Sequence, residues 1–287
     1  MKKRQFYKTG FLVVTICAAV VAMTAATYAW FTTNKQVSTS TATARTGDER
    51  LELQISSEGG DRFNDQETVS IVQVNQTDQK KLMPVSTADL TDFIYAPVTA
   101  DGDAVTFLHV EQEANYYHGR LYLRAVGNGF SDNDRMALYL DQSDGVLADA
   151  SDGMLLYAAR LGLRVDGKNP VIFHLSDETN PKGTQAYNTV VDGRRLGADQ
   201  VLAYRNGKVT AVADPGVSFA DYTVSFDDTQ VKLPAQPLLL MEWNKIYTLD
   251  IYFYLEGCDP DCSDAVSFDP AELHLAFYGV LRQGDAE

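Results

Sequence analysis

Two thiols and three carboxylates crowd one short stretch near the end of the chain, Cys258-Asp-Pro-Asp-Cys262 with Asp264 just beyond. Thiols at this spacing can join as a disulfide, and Pro260 prebends the turn between them. Such a short bridged loop would stabilise the fold by roughly 2 kcal/mol through lost chain entropy. The alternatives are a metal or redox site and two thiols left reduced. Zinc needs a second pair of ligands, whereas His109, His118, His174 and His274 are scattered. Asp259, Asp261 and Asp264 are candidates for calcium, which takes oxygen ligands, although the D-x-D-x-D-G register of a calcium loop is absent. The expectation is a Cys258–Cys262 disulfide and no cofactor, with calcium at the three aspartates as the alternative.

Catalytic signatures are missing. The sequence holds no HExxH, no G-x-S-x-G and no glycine-rich phosphate loop, so the chain is expected not to be an enzyme. Tyrosine is plentiful, at 15 residues. Tyr252 and Tyr254, alternating along one strand, suit either sugar binding or cross-strand packing.

The remaining chemistry is that of export. Lys2, Lys3, Arg4 and Lys8 form a basic head, followed by an uncharged run over 11–31. A secretory signal ends in small residues before its cleavage point. Thr27 and Ala29 supply that ending, with Trp30 as the first mature residue. The same run just reaches the roughly 20 residues that span a bilayer, so a retained anchor with the domain outside is the alternative. After it, 30–46 is rich in Thr and Ser and poor in core formers, an extended arm that needs something to pair with. Trp30, Phe31 and Val37 are its anchor candidates.

Composition fits this picture. A chain of 287 residues that is 45% hydrophobic can build a real core. Its formal charge of −15 includes the basic head, so the exported part is more acidic still and should repel nucleic acid.

The elements that position these residues read as short strands. Leu51, Leu53 and Ile55 alternate with polar residues. In 117–126, Tyr117, Leu121, Leu123 and Ala125 face one way, and His118, Arg120, Tyr122 and Arg124 the other. Asp166-Gly167 and Asn206-Gly207 mark two hairpins. Between them, 176–196 is a long polar loop. Tyr247, Leu249, Ile251, Phe253 and Leu255 make an unbroken apolar face, so 247–255 belongs mid-sheet. Ser86 to Asp89 looks like a capping box before a short helix with Leu90, Phe93 and Ile94 inward, and Met154, Leu155 and Ala158 suggest another helical turn. Many strands, few helices and no βαβ alternation predict a mainly β antiparallel sandwich over 47–287.

The basic head, the Ala-rich run, Thr27-Tyr28-Ala29, the aromatic start Trp30-Phe31 and a short strand at 51–55 together resemble the TasA/camelysin family. These are biofilm-matrix fibre proteins of Gram-positive bacteria, exported through a signal peptidase of the SipW type. The resemblance covers about 30 to 55 residues of the N-terminal region closely and the rest only as a β-rich pattern, and the cysteine loop is a departure from TasA itself. It implies a jelly-roll-like sandwich and a secreted subunit that polymerises by lending its N-terminal strand to a neighbour. Its partners would be further copies or other matrix proteins, and the signal peptidase during export. An extracellular carbohydrate-binding or adhesion module, supported by calcium, is the alternative function.

Overall fold

The computed structural model describes residues 37–46, 51–59, 62–63, 66–68, 70–71, 83–95, 108–110, 115–128, 131, 133–141, 154–176, 190–191, 194–197, 199–227, 230–259, 261–262 and 271–283. The chain divides into two units, Met1–Lys35 and Gln36–Glu287, and the described residues all belong to the second. The signal segment, Thr27, Ala29, Trp30, Phe31 and Asp264 therefore lie outside them, as does 177–189 of the polar loop. Among the described residues no helix is long and apolar enough to cross a membrane.

The first half holds strands β1 (Val37–Thr46), β2 (Leu51–Ser56), β3 (Gln66–Thr68), β4 (Ser70–Ile71), β5 (Pro84–Ser86), β6 (Ile94–Tyr95), β7 (Leu108–His109), β8 (Tyr117–Gly127) and β9 (Arg135–Asp141). A five-residue helix, α1 (Met154–Ala158), separates them from β10 (Ala159–Val165), β11 (Lys168–His174), β12 (Val190–Val191), β13 (Arg194–Arg195), β14 (Gln200–Arg205), β15 (Lys208–Ala213) and β16 (Val217–Ser218). After a 3-10 turn at Phe219–Tyr222 come β17 (Thr223–Asp227), β18 (Gln230–Lys232), β19 (Leu239–Met241), β20 (Ile246–Glu256) and β21 (Ala271–Arg282).

Two large sheets share one core. The first runs β18-β17-β9-β21-β1-β3, with β19 also on β9. The second runs β16-β11-β10-β20-β5-β6-β7, with β8 on β20 and β2 and β4 on β8. Leu53, Ile55, Leu121, Leu123, Leu161, Leu249, Ile251 and Phe253 from the second sheet meet Met136, Leu138, Leu140, Leu275 and Phe277 from the first. The fold is thus mainly β, with a sandwich-like core, but its sheets are mixed. β1/β21, β9/β17, β11/β16 and β5/β20 are parallel pairs, where an antiparallel sandwich is the expectation. Parallel neighbours need long crossovers. Nothing in a single strand's own residues announces such a crossover.

β20 sits mid-sheet as its pattern demands. It pairs with β10 from Leu249 to Leu255 and with β8 from Ile246 to Phe253, and β5 takes over at Leu255 and Glu256. Both hairpins form where their turn residues place them. Asp166 and Gly167 have φ of 48° and 67°, and Asn206 and Gly207 have 52° and 77°, the left-handed pair that a two-residue turn requires.

The helix expected after the capping box is not formed. Thr87 Oγ1 accepts from Leu90 N–H at 3.1 Å, and Asp89 Oδ1 accepts from Thr91 N–H at 2.9 Å, while Leu90 has φ of 56°. Short polar side chains have captured the backbone donors that a helix would use. The result is a turn that lays Leu90 and Phe93 on the outer face of the second sheet. There they join Val85, Tyr116, Ile172, Tyr252 and Tyr254 in a separate buried cluster. Tyr252 and Tyr254 are therefore packing residues, Tyr252 tilted against Phe93 and Tyr116 and Tyr254 edge-on to Phe93.

Candidate functional site

β1 is the described part of the arm. Its sequence, VSTSTATART, alternates β-prone Thr with small residues and carries no Gly or Pro, so it extends readily but brings little apolar area. Its place is held through the backbone ladder. β1 runs parallel to β21 from Val37 opposite Ala271 to Thr46 opposite Gly279, with an irregularity between Ser38 and Thr41. On its other side, among the described residues, β3 covers only Thr41, Ala42 and Thr43. The Thr46 hydroxyl donates to the Leu51 carbonyl at 2.9 Å and ties the end of β1 to the start of β2. Of the three arm anchors, Val37 opens this strand, while Trp30 and Phe31 lie outside the described residues.

The cysteine loop differs from its expectation. Cys258 and Cys262 are buried thiols with no bridge between them. The reason is packing. Cys258 belongs to a cluster with Ile94, Val191 and Leu202, whereas Cys262 belongs to the main core. The turn is closed instead by Asp259, whose carbonyl accepts from Cys262 N–H at 2.9 Å and whose Oδ1 accepts from Asp261 N–H at 2.9 Å. Asp259 Oδ2 also lies 2.5 Å from Arg160 Nη2. Asp259 is thus already neutralised by a guanidinium, and Asp261 is buried. Among the described residues no three His, Cys, Asp or Glu side chains are arranged to hold a metal ion.

The polar face of β20 carries charge that motif searching misses. Asp250 is buried, with His118 Nε2 at 3.1 Å, Arg120 Nε at 2.7 Å and Arg164 Nη2 at 3.9 Å. Burial pushes the Asp250 carboxyl up, but hydrogen bonds from His118 and Arg120 outweigh it and hold the group below the usual carboxylate range. An ionised carboxylate only accepts, so His118 donates from Nε2. The His118 ring stacks on Tyr252 with centroids 4.4 Å apart, and Arg164 donates to the Tyr252 hydroxyl, the Leu90 carbonyl and Thr91 Oγ1. A His–Asp pair orients a base in many hydrolases. Here its further neighbours are two guanidiniums and a phenol, so the arrangement compensates charge and fastens the 87–93 turn.

A second network lies at the C-terminal end of β20. Arg160, buried on β10, joins Asp259 of the cysteine loop to Asp214, 3.8 Å away at the foot of the β14–β15 hairpin. Asp214 also approaches His174 Nε2 at 3.3 Å. A Cβ on Gly216 would lie 2.1 Å from that nitrogen, so only glycine admits the contact. Burial pulls the Arg160 guanidinium down, but Asp259, Glu256 and Asp214 more than restore it and keep it charged. Burial likewise pushes Asp214 up, and His174 and Arg160 bring it below the ordinary range. Glu256 ends β20 inside this network. The sequence signal was available, since Asp250 and Glu256 sit opposite the apolar face of a mid-sheet strand, where a charge must find partners.

No protein-family model, curated protein or solved structure matches the chain.

Proposed function

We propose that the chain is an exported matrix or fibre subunit in which Val37–Thr46 can leave its own sheet and complete that of a neighbouring copy. The observation that carries this is the way β1 is held. It is a ten-residue strand at the N-terminal side of the domain, paired with β21 from end to end apart from a break between Ser38 and Thr41 and, among the described residues, on its other side over only three residues. Its side chains bring little apolar area, so a second copy's identical strand offers the same hydrogen bonds at no loss of packing. Exchange of an identical element is a low-cost route to assembly. Eight paired positions along β21 also give a vacated slot strong reason to be refilled, because unpaired ladder groups are sticky.

Export is supported by the basic head, the apolar run and the Thr27-Tyr28-Ala29 ending, and by the resemblance of that region to TasA-like matrix proteins. Cleavage at Ala29–Trp30 would free the arm. A jelly-roll-like closure completed by the arm belongs to the same reading.

A double variant, Thr43→Cys with Ala276→Cys, tests it, because these positions face each other across β1 and β21. Oxidised as a monomer, the chain should be locked and fail to polymerise, and reduction should restore assembly. Oxidised after assembly, the cross-link should join different chains on a non-reducing gel. Polymers whose cross-links stay within one chain would overturn the exchange.

A further inference from the structure

The β14–β15 hairpin belongs to neither large sheet. Among the described residues its strands pair only with each other, and an isolated two-stranded hairpin is at best marginally stable in water. Side-chain contacts therefore hold it down. Leu202 N–H donates to Ser86 Oγ at 2.8 Å. Val191, Leu202, Ile94 and Cys258 close a small apolar cluster beneath it. Asp214, at its foot, reaches Arg160 and His174.

All three contacts meet at Glu256. Its side chain is 2% exposed, Oε1 accepts from Cys258 N–H at 3.1 Å, and Oε2 is buried with no hydrogen-bond partner among the described residues. The groups facing it come from every element packed there. Ser86 comes from β5, Tyr254 from β20 itself, Arg160 from β10, Asp214 from the hairpin foot, and Cys258 from the loop. Asp259 lies across Arg160, and His174 of β11 across Asp214. Arg160 is the one guanidinium in this set and is already shared by Asp259 and Asp214. A third negative charge would thus be undercompensated in a place water does not reach.

We infer that Glu256 is a proton-operated clasp, closing the hairpin over the end of β20 while its carboxyl is neutral and loosening it when the carboxyl ionises. Opening would uncover Ile94, Val191 and Leu202. Burial, which Ser86, Arg160 and the Cys258 N–H only partly offset, pushes the Glu256 carboxyl up to about 8. The sign follows from linkage. A carboxyl that titrates higher in the closed form binds its proton there, so Glu256's contribution to closure is fullest at and below the ordinary carboxylate range. It weakens as pH rises from the ordinary carboxylate range to about 8, and then levels off.

Amide hydrogen exchange on the full chain, corrected for the intrinsic rate, tests this over residues 200–213. In the wild type their protection should fall about tenfold per pH unit for one linked proton and level off near pH 8. In Glu256→Gln it should be flat. If Glu256→Gln does not fold, Asp214→Asn serves, because removing a neighbouring anion must bring the levelling-off to a lower pH. Protection that is independent of pH in the wild type would overturn the clasp, as would the same slope in Glu256→Gln or an unmoved plateau in Asp214→Asn. The readout is within one chain and does not depend on strand exchange.

Discussion

Arg160 shows how much a single side chain can organise. It is almost wholly buried, yet it stays charged because carboxylates from the cysteine loop and the hairpin foot surround it. Its worth lies less in net attraction than in what its loss would leave behind, since a buried pair that loses one partner strands the other charge. Arg160→Met should therefore lower unfolding stability by about 3–5 kcal/mol, read as a reduced denaturant midpoint with an unchanged slope. Adding Asp259→Asn should recover part of the loss. A double variant no more stable than the single one would show that the ion pair is not the cause. None of this could be read from motifs, because Arg160, His174, Asp214 and Glu256 are far apart along the chain. Only the alternation of acids against the apolar face of β20 hinted that the charge had to be answered.

At the scale of elements, the turn after β5 is the instructive case. Ser86 to Asp89 has the residue types of a helix start, and the apolar residues beyond have helical spacing. The same short side chains can instead bind their own backbone, and tertiary packing selects that outcome. The turn drives Leu90 onto Gly162 of β10 so closely that a Cβ there would stand 2.5 Å from Leu90 Cδ2. Gly162→Ala should thus overpack this contact and destabilise the domain by roughly 1–3 kcal/mol. Shortening the partner in Gly162→Ala with Leu90→Ala should relieve the clash, and thermal unfolding of the set would measure it. The two hairpins were readable because Asp-Gly and Asn-Gly turns are decided by a few adjacent residues. The cysteine loop was not. Its spacing suits a bridge, but burial in two different apolar clusters keeps the thiols apart.

For the molecule as a whole, the acid side of the stability profile is set by one buried and one half-buried carboxylate, both held low. Asp250 and Asp214 both titrate below their ordinary range. Each contributes stability that is present above about pH 4 and is lost as pH falls through the folded value. Acid unfolding should begin there, and Asp250→Asn should flatten that limb while lowering stability at neutral pH, because Arg120, Arg164 and His118 lose their shared partner. An acid limb identical to that of the wild type would assign the effect elsewhere.

What the sequence determined alone is local. Periodic apolar residues and turn chemistry set the mainly β class, the hairpins and the central place of β20, because alternation and left-handed turn residues act over neighbouring positions. The tertiary structure decided everything that depends on distant partners. It made the sheets mixed, set β1 beside β21, and buried the second face of β20 beneath the 83–95 segment. It also turned two thiols into core residues and gathered Asp250 and Glu256 with cations from other strands. The physical reason is that a strand's neighbours and a charge's partners are chosen by the packing of the whole domain.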